Sequence, residues 1–235
     1  MGIRLCCCTS SHHTAPKIKT STELLADAGF YVDRWLSRGR VAKVRQKNVT
    51  FVCRISNTTL ANAEQDVLHR LAECTNIPVP VDTPSLPTCV FYRYIGGVDL
   101  HHTINAKLVP ESAVKLQLKI IARALAFCHA RGIAHMDVKP ENIVIRHDGT
   151  PILIDWECAL VVSDKFAMVN VSPKRGTLRY MAPEMASKTH LAGCPSDVWS
   201  FTKMYNVCVG STLTVSENPS HRPTMKSLLL HPSVK

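Results

Sequence analysis

The sequence predicts an α+β fold built from two lobes, a small β-rich lobe followed by a mostly helical one. Residues 30–56 carry short β-branched runs around a turn at 46–48, a pattern typical of neighbouring strands. Residues 111–132 instead repeat apolar side chains at helical spacing and end at a glycine, as an α-helix often does. A proline-rich stretch and a Gly-Gly pair separate the two regions, so we assign residues 29–93 to the first lobe and 94–235 to the second.

The length and composition fit one folded unit. With 235 residues, of which 46% are hydrophobic and 20% charged, the chain can form one large domain or two small lobes with a shared core. No segment approaches the roughly 20 apolar residues that span a bilayer. The ten cysteines include no C-x-x-C pair, and no secretory signal peptide is present. Both observations favour a reducing, intracellular setting over a disulfide framework.

The formal net charge of +10 would suit nucleic acid, an anionic membrane surface or phosphorylated ligands. The basic residues are spread along the chain, and no aromatic side chains alternate with them to form a base-stacking face. We therefore expect no nucleic-acid partner.

The first lobe is predicted to contain one helix after its first strands. Residues 57–74 have helical apolar spacing, and Asn57 or Thr58 is suited to cap the helix N-terminus. The apolar positions expected to face the core are Leu60, Ala63, Val67, Leu68 and Leu71. Beyond this helix, the strand "CVFYRY" runs into the Gly-Gly pair, which we interpret as a hinge between the lobes.

The second lobe begins with the long helix predicted at 111–132. Its apolar stripe consists of Val114, Leu118, Ile121, Leu125 and Cys128. Two short apolar runs, at 142–145 and 151–154, bracket the turn "RHDGT" and predict a hairpin. Further helices are predicted at 196–209 and 224–231.

Five polar motifs follow one another in this second region. They are "HMDVKPEN" (135–142), "LIDWE" (153–157), "GTLRYMAPE" (176–184), "SDVWSF" (196–201) and "HRPT" (221–224). Their order and spacing resemble the eukaryotic protein kinase superfamily. The resemblance implies a two-lobed protein-kinase-like domain at 29–235, with ATP and Mg²⁺ as cofactors. It also implies transfer of the γ-phosphate of ATP to Ser or Thr hydroxyls of a protein substrate.

The resemblance assigns catalytic roles to Asp137, which would accept and orient the acceptor hydroxyl, and to Lys139, which would meet the γ-phosphate. It assigns Mg²⁺ binding to Asn142 and Asp155. The alternative is a capped surface turn, because Asp, Pro and Asn all favour turns. Lys139, two residues after the aspartate, is typical of Ser/Thr kinases rather than tyrosine kinases.

The triplet that begins at Asp155 departs from the family pattern, because Asp-Trp-Glu stands where Asp-Phe-Gly is expected. Glu157 would act either as a third metal ligand or as an obstruction. The string "IDWE" also resembles choline and aminoglycoside kinases, which favours a small-molecule kinase. "GTLRYMAPE" argues against that alternative, since it resembles the protein kinase segment in which Thr177 braces the catalytic loop and Glu184 pairs with Arg222. Asp197 would hold the backbone of that loop.

The nucleotide-binding lobe departs most from the family. The resemblance assigns nucleotide binding to Gly39, Val44, Arg54, Glu64 and Asp99. Gly39 is the one glycine left in the phosphate-covering turn, and Arg54 stands where a lysine is expected, with Glu64 as its partner on the helix. A forked, planar guanidinium is a poor substitute for a point charge. Lys43 is expected to face away from the nucleotide because it alternates with Val44.

Two further departures bear on regulation and on substrate docking. Met136 replaces an arginine that in many kinases receives a phosphorylated activation loop, so phosphate on Ser163, Ser172 or Thr177 would lack that partner. Asp197 and Arg222 are 25 positions apart, too few for the helices that kinases usually place between these motifs. The resemblance thus implies a fold shortened near the C-terminus and a kinase of reduced activity, with a partner-binding pseudokinase as the alternative.

Residues 1–28 read as a flexible leader, because they are polar and lack periodicity. "MGIRLCCC" resembles an N-myristoylation signal at Gly2, with Cys6 in place of the preferred Ser or Thr, and the adjacent Cys6–Cys8 are palmitoylation candidates. Two acyl chains would hold the protein on the cytoplasmic face of a membrane. An unmodified leader would leave it cytoplasmic.

Overall fold

The computed structural model describes residues 20–37, 39–83, 85–171, 176–187 and 190–234. Within these residues, the predicted α+β fold in two lobes is confirmed. In the same ranges, no helix is long and apolar enough to cross a membrane. Gly2 and Cys6–Cys8 lie outside the described residues, so their acylation stays a prediction.

In the part of the chain that the structure describes, the first lobe is a five-stranded antiparallel sheet with two helices. The strands are β1 (Tyr31–Ser37), β2 (Val41–Gln46), β3 (Val49–Ile55), β4 (Pro80–Val81) and β5 (Cys89–Arg93), in the sheet order β1-β2-β3-β5-β4. The helices are α1 (Ser21–Asp27) and α2 (Thr58–Arg70). The predicted turn at 46–48 joins β2 to β3.

Helix α1 corrects the predicted extent of the leader, which was expected to run to residue 28. Thr20 and Glu23 form a reciprocal capping box that satisfies the first backbone N–H groups of the helix. Leu25 is fully buried and belongs to the same apolar cluster as Phe30 and Phe91, on the outer face of the sheet. A seven-residue helix with one buried side chain has no apolar period that a sequence pattern could detect.

The two faces of the sheet have different neighbours. Ala42, Val44 and Cys53 point to the outer face and are buried in the cluster beneath α1. Val52 and Tyr92 point to the opposite face, toward α2 and the second lobe. This alternation decides which side chains of the first lobe reach the cleft between the lobes.

Helix α2 forms where predicted, and the Asn57 side chain caps it by accepting a hydrogen bond from the backbone N–H of Leu60. The predicted core positions at its start are wrong, because Leu60 and Ala63 are exposed. The buried face instead carries Ala61 and Glu64. Because the buried face includes a glutamate, the apolar residues alone did not show which side of the first turn of α2 faces the core.

Among its described residues, the second lobe is mostly helical and contains three small sheets. Its helices are α3 (Leu100–Asn105), α4 (Glu111–Ala130), α5 (Pro183–Ala186), α6 (Cys194–Val209) and α7 (Met225–Leu228). Its strands are β6 (Gly97–Asp99), β7 (Ile133–Ala134), β8 (Ile143–Arg146), β9 (Pro151–Leu153), β10 (Leu160–Val161), β11 (Val169–Asn170) and β12 (Leu191–Ala192). They pair as β6-β8-β9, β7-β10 and β11-β12. Short 3₁₀ turns lie at Pro140–Asn142, Trp156–Cys158 and Pro219–His221.

Helix α4 is the centre of the second lobe and matches its prediction. All five side chains of the predicted stripe are buried. Gly132 follows the C-cap with φ +66°, and a Cβ there would lie 2.4 Å from the carbonyl oxygen of Val162. Only glycine fits this close approach, which lets the chain turn directly from α4 into β7.

The fold is shortened near the C-terminus, as predicted. Residues 210–218, all described, contain no helix and connect α6 directly to the turn before Arg222. Helix α7 is a single four-residue segment, shorter than the predicted 224–231.

Candidate active site

One buried carboxylate fixes the backbone at the start of the loop between β7 and β8. Asp197, in the first turn of α6, is fully buried and accepts hydrogen bonds from the backbone N–H groups of His135 (2.7 Å) and Met136 (2.8 Å). The Nε2 atom of His129 lies 3.0 Å from the same carboxylate. Because these contacts fix the backbone at residues 135 and 136, the next side chain, Asp137, starts from a defined position.

Asp137 is surrounded by donors that keep its carboxylate ionised and oriented. Lys139 Nζ donates to its Oδ2 at 2.6 Å, and the Thr177 hydroxyl donates to its Oδ1 at 2.8 Å. The side-chain amide of Asn142 donates to the same carboxylate at 3.0 Å. Burial opposes the charge on Asp137, but the hydrogen bonds from Lys139 and Thr177 outweigh it and lower its pKa.

Asn142 and Asp155 are brought together by the backbone. The N–H of Ile154 donates to the carbonyl oxygen of Asn142 at 2.9 Å, which joins the loop to the residue before Asp155. Asp155 adopts φ +68°, a backbone conformation that is uncommon for residues other than glycine and that marks the turn into the next segment. The side-chain nitrogen of Asn142 donates hydrogen bonds to Asp137. The side-chain oxygen of Asn142 is therefore the atom suited to a metal.

The donors of these two residues, an amide oxygen and a carboxylate, are of the kind that Mg²⁺ accepts. No cluster of three or more His, Cys, Asp or Glu side chains that could hold a metal occurs among the described residues. Mg²⁺ usually keeps several waters and is bound by one or two protein oxygens together with substrate phosphates. An amide oxygen and one carboxylate match that requirement.

Arg54 on β3 contacts three carboxylates. Its Nη2 donates to Asp155 Oδ1 at 2.6 Å and its Nη1 donates to Glu157 Oε2 at 3.0 Å. Its Nε lies 3.4 Å from Glu64 Oε1, an ion pair without a hydrogen bond from that nitrogen. Burial opposes the charge of Arg54, but Asp155 and Glu64 outweigh that effect and raise its pKa.

Glu64 is the most buried of the three carboxylates around Arg54. Its side chain is almost completely buried, and burial raises its pKa to about 7 although Arg54 acts in the opposite direction. The predicted partnership between Glu64 and Arg54 is thus present as a contact at 3.4 Å. The side-chain hydrogen bonds of Arg54 go to the two carboxylates of the Asp-Trp-Glu segment.

The cleft between the lobes contains a cavity of about 410 Å³. Its walls come from the first lobe, the hinge and the second lobe, and include Ser37, Val41, Val52, Arg54, Tyr92, Tyr94, Asp99, Val144, Ile154 and Asp155. Two predicted nucleotide-binding residues, Arg54 and Asp99, therefore line it. Asp99 also caps α3 by accepting a hydrogen bond from the N–H of His102 at 2.8 Å. Gly39 lies in the β1-β2 turn at φ +67°, between the lining residues Ser37 and Val41.

Two predictions for strand β2 are corrected by its register. Val44 is fully buried on the outer face of the sheet, so it does not line the cavity; Val41 does. Lys43 is paired with the lining residue Val52, and its Nζ lies 4.5 Å from the ring centre of Tyr94. Lys43 therefore points to the cleft side rather than away from it. The period-two alternation of β2 holds, but the alternation alone does not tell which of its two faces meets the cleft, and the predicted assignment was one residue out of phase.

The space around Met136 is apolar. Its side chain is 3% exposed and packs in a cluster with Ala134, Val162, Val171, Ala182, Met185, Ala192 and Cys194. The Thr177 hydroxyl is already bonded to Asp137 and Lys139. Ser172 lies outside the described residues. Apolar packing thus occupies the position at which an arginine would receive a phosphate.

Glu184 and Arg222 form a bidentate pair, with both oxygen–nitrogen distances at 2.7 Å. The remaining donors of Arg222 reach the carbonyl oxygens of Pro195, Ser216 and Glu217. Both side chains are buried. This pair ties α5 to the segment before α7 and lies outside the cleft.

Comparison with known proteins agrees with this geometry. Residues 43–222 match the protein kinase domain family. The chain is 36% identical over 119 residues to serine/threonine-protein kinase PknE of Mycobacterium tuberculosis, covering 50% of this chain and 20% of that protein. It is 26% identical over 186 residues to CBL-interacting protein kinase 28 of Oryza sativa subsp. japonica, covering 78% of this chain and 42% of that protein. The chain thus spans less than half the length of these curated relatives.

Proposed function

Because the chain belongs to the protein kinase family, we propose that it transfers the γ-phosphate of ATP to serine and threonine hydroxyls of other proteins. The observation that carries the proposal is the environment of Asp137, whose carboxylate is ionised, oriented by three side chains and placed beside Lys139. The relatives described above are named serine/threonine or protein kinases. Those names favour a protein acceptor over a small molecule.

In the proposed mechanism, Asp137 accepts a hydrogen bond from the acceptor hydroxyl and aligns its oxygen with the γ-phosphate. Lys139 lies 2.6 Å from Asp137, where its charge stabilises the negative charge that spreads over the phosphate oxygens. Asn142 and Asp155 would hold Mg²⁺, which neutralises phosphate charge when bound. Val41, Val52 and Tyr94 supply the apolar wall for a base in the cavity.

The direct test of this function is label transfer with identification of the acceptor residue. The purified chain is incubated with generic acceptor proteins, Mg²⁺ and ATP labelled at the γ-phosphate, and the labelled protein is hydrolysed in acid. We expect label on phosphoserine and phosphothreonine, and none when EDTA replaces Mg²⁺. Label confined to another residue, or label that persists in EDTA, would contradict the proposal.

One observation favours the second candidate, a pseudokinase that binds partners without catalysis. Arg54 holds Asp155 at 2.6 Å and so competes with a metal for that carboxylate. The two candidates differ in one respect that can be measured, since a pseudokinase binds protein partners through the same fold but transfers no label.

Arg54→Lys is predicted to raise the rate of transfer several-fold. A lysine is a single point charge, so it cannot hold Asp155 and Glu157 with separate nitrogens as the guanidinium does, and Asp155 becomes more available to Mg²⁺. The measurement is the steady-state rate at saturating Mg²⁺ and ATP. Arg131→Lys is the matched control, because Arg131 pairs with Glu73 at the surface at 2.8 Å, outside the cleft. A lower rate for Arg54→Lys would contradict this prediction and would show that transfer needs the forked guanidinium group of Arg54.

A further inference from the structure

Two arginines of the first lobe converge on one carboxylate oxygen of the second lobe. Arg40, in the β1-β2 turn, donates from Nη2 to Glu157 Oε2 at 2.8 Å, and Arg54 donates from Nη1 to the same oxygen at 3.0 Å. Arg40 and Glu157 are separated by 117 positions in the sequence. The contact therefore joins the two lobes, between the turn that carries Gly39 and the segment that carries Asp155.

Two guanidinium groups around one anionic oxygen form a typical phosphate-binding arrangement. Both arginines lie next to the cavity, since Arg54 lines it and Arg40 lies between Gly39 and the lining residue Val41. In this conformation, the anionic oxygen between the two arginines belongs to the Glu157 carboxylate rather than to a phosphate.

We propose that Arg40 is a phosphate-binding residue of the nucleotide site and that the Glu157 carboxylate occupies its place until nucleotide binds. The inference rests on the proposed function, because it assumes that the cavity receives a nucleotide. It assigns Glu157 as a competitor of the terminal phosphates for Arg40 and Arg54, rather than as a third metal ligand.

The local charges support competition. An anionic phosphate oxygen and the anionic Glu157 carboxylate cannot occupy the same donors of Arg40 and Arg54 at once. A carboxylate must therefore leave when a phosphate binds there. Glu157 is the one suited to leave, because Glu64 is 3% exposed whereas the Glu157 side chain is 34% exposed and can turn into solvent.

The exchange of the Glu157 carboxylate for a phosphate requires only a rotation of the Glu157 side chain. Trp156, directly before Glu157, is 1% exposed, and its indole N–H donates to the carbonyl oxygen of Leu153 at 3.0 Å. This anchor holds the backbone of the segment while Glu157 rotates. The Arg40 side chain is 59% exposed and is equally able to follow a new partner.

The test is the binding of three ligands to the purified chain by calorimetry, in EDTA and in Mg²⁺. The ligands are ATP, inorganic tripolyphosphate and adenosine, and the variants are Glu157→Gln, Arg40→Gln and the double variant. Glu157→Gln is expected to bind ATP and tripolyphosphate about tenfold more tightly in EDTA, because two charged hydrogen-bond donors are released to the ligand. Adenosine, which has no phosphate, should bind unchanged. Adding Arg40→Gln should remove most of the gain.

Glu73→Gln serves as the matched control, since Glu73 also accepts from an arginine at 2.8 Å but lies at the surface away from the cleft. It should leave all three affinities unchanged. If Glu157→Gln does not fold, as judged by its thermal melt, Glu157→Ala replaces it with the same expected results.

The outcomes separate this inference from the proposed function. Wild-type chain that binds ATP, with no gain in Glu157→Gln, overturns the inference and leaves the function in place. Weaker binding of ATP by Glu157→Gln in Mg²⁺ alone would make Glu157 a metal ligand and would also overturn it. Binding by Glu157→Gln but not by wild type supports the inference and rejects catalysis by the wild-type chain. No ATP binding by either chain rejects both.

Discussion

Replacing Glu184 by alanine is expected to lower the free energy of unfolding by about 3–5 kcal/mol, the usual cost of removing one partner of a buried ion pair. The change leaves the guanidinium of Arg222 buried without its two carboxylate acceptors. It also removes the acceptor of the Ser196 hydroxyl, which donates to Glu184 at 2.8 Å. Urea unfolding followed by circular dichroism measures the loss.

A double-mutant cycle shows whether the loss belongs to the pair. Arg222→Ala also loses contacts with three carbonyl oxygens, so the double variant should be less stable than Glu184→Ala alone, yet more stable than the sum of the two single losses predicts. The exposed pair Glu73 and Arg131 is the control, with an expected coupling below about 1 kcal/mol. Strictly additive losses for Glu184 and Arg222 would contradict the pairing.

Replacing Asp137 by asparagine is expected to reduce the rate of phosphate transfer by about 10²–10⁴-fold, the range typical of a residue that handles the transferred proton. Asparagine keeps the size of the side chain and can still accept from Thr177, but its amide carries no negative charge to orient the acceptor hydroxyl. The measurement is the initial rate of label transfer at saturating ATP, together with the affinity for ATP.

Asp148→Asn is the control for this change. Asp148 lies in the exposed turn of the β8-β9 hairpin and accepts a hydrogen bond from the N–H of Thr150 at 2.9 Å. It should transfer label at the wild-type rate. If Asp137→Asn keeps the wild-type rate, the label comes from a contaminating kinase, and the pseudokinase alternative becomes the better account.

Local sequence patterns were sufficient for most of the fold. The stripe of α4, the Asn57 cap of α2 and the β8-β9 hairpin depend on neighbouring residues, and each formed as predicted. The group around Asp137 is also local for the most part, because Lys139 and Asn142 come from the same loop.

The predictions that were wrong or incomplete concern features that depend on elements distant in the sequence. Which face of β2 reaches the cleft depends on α1, which covers the other face, and on two irregularities in the pairing of β1 with β2. Neither feature has a periodic signal, so Val44 was assigned in place of Val41. Arg40 was missed for a related reason, since its partner Glu157 is 117 positions away and no spacing rule connects them.

The central claim, that this chain transfers phosphate, is tested most directly by binding and transfer measured on one preparation. The wild-type chain is first titrated with ATP in the presence of Mg²⁺, and the same sample is then given γ-labelled ATP and an acceptor protein. The account predicts saturable binding, and label transfer that saturates over the same range of ATP and disappears when Mg²⁺ is chelated. Saturable ATP binding without label transfer above the Asp137→Asn background would contradict it.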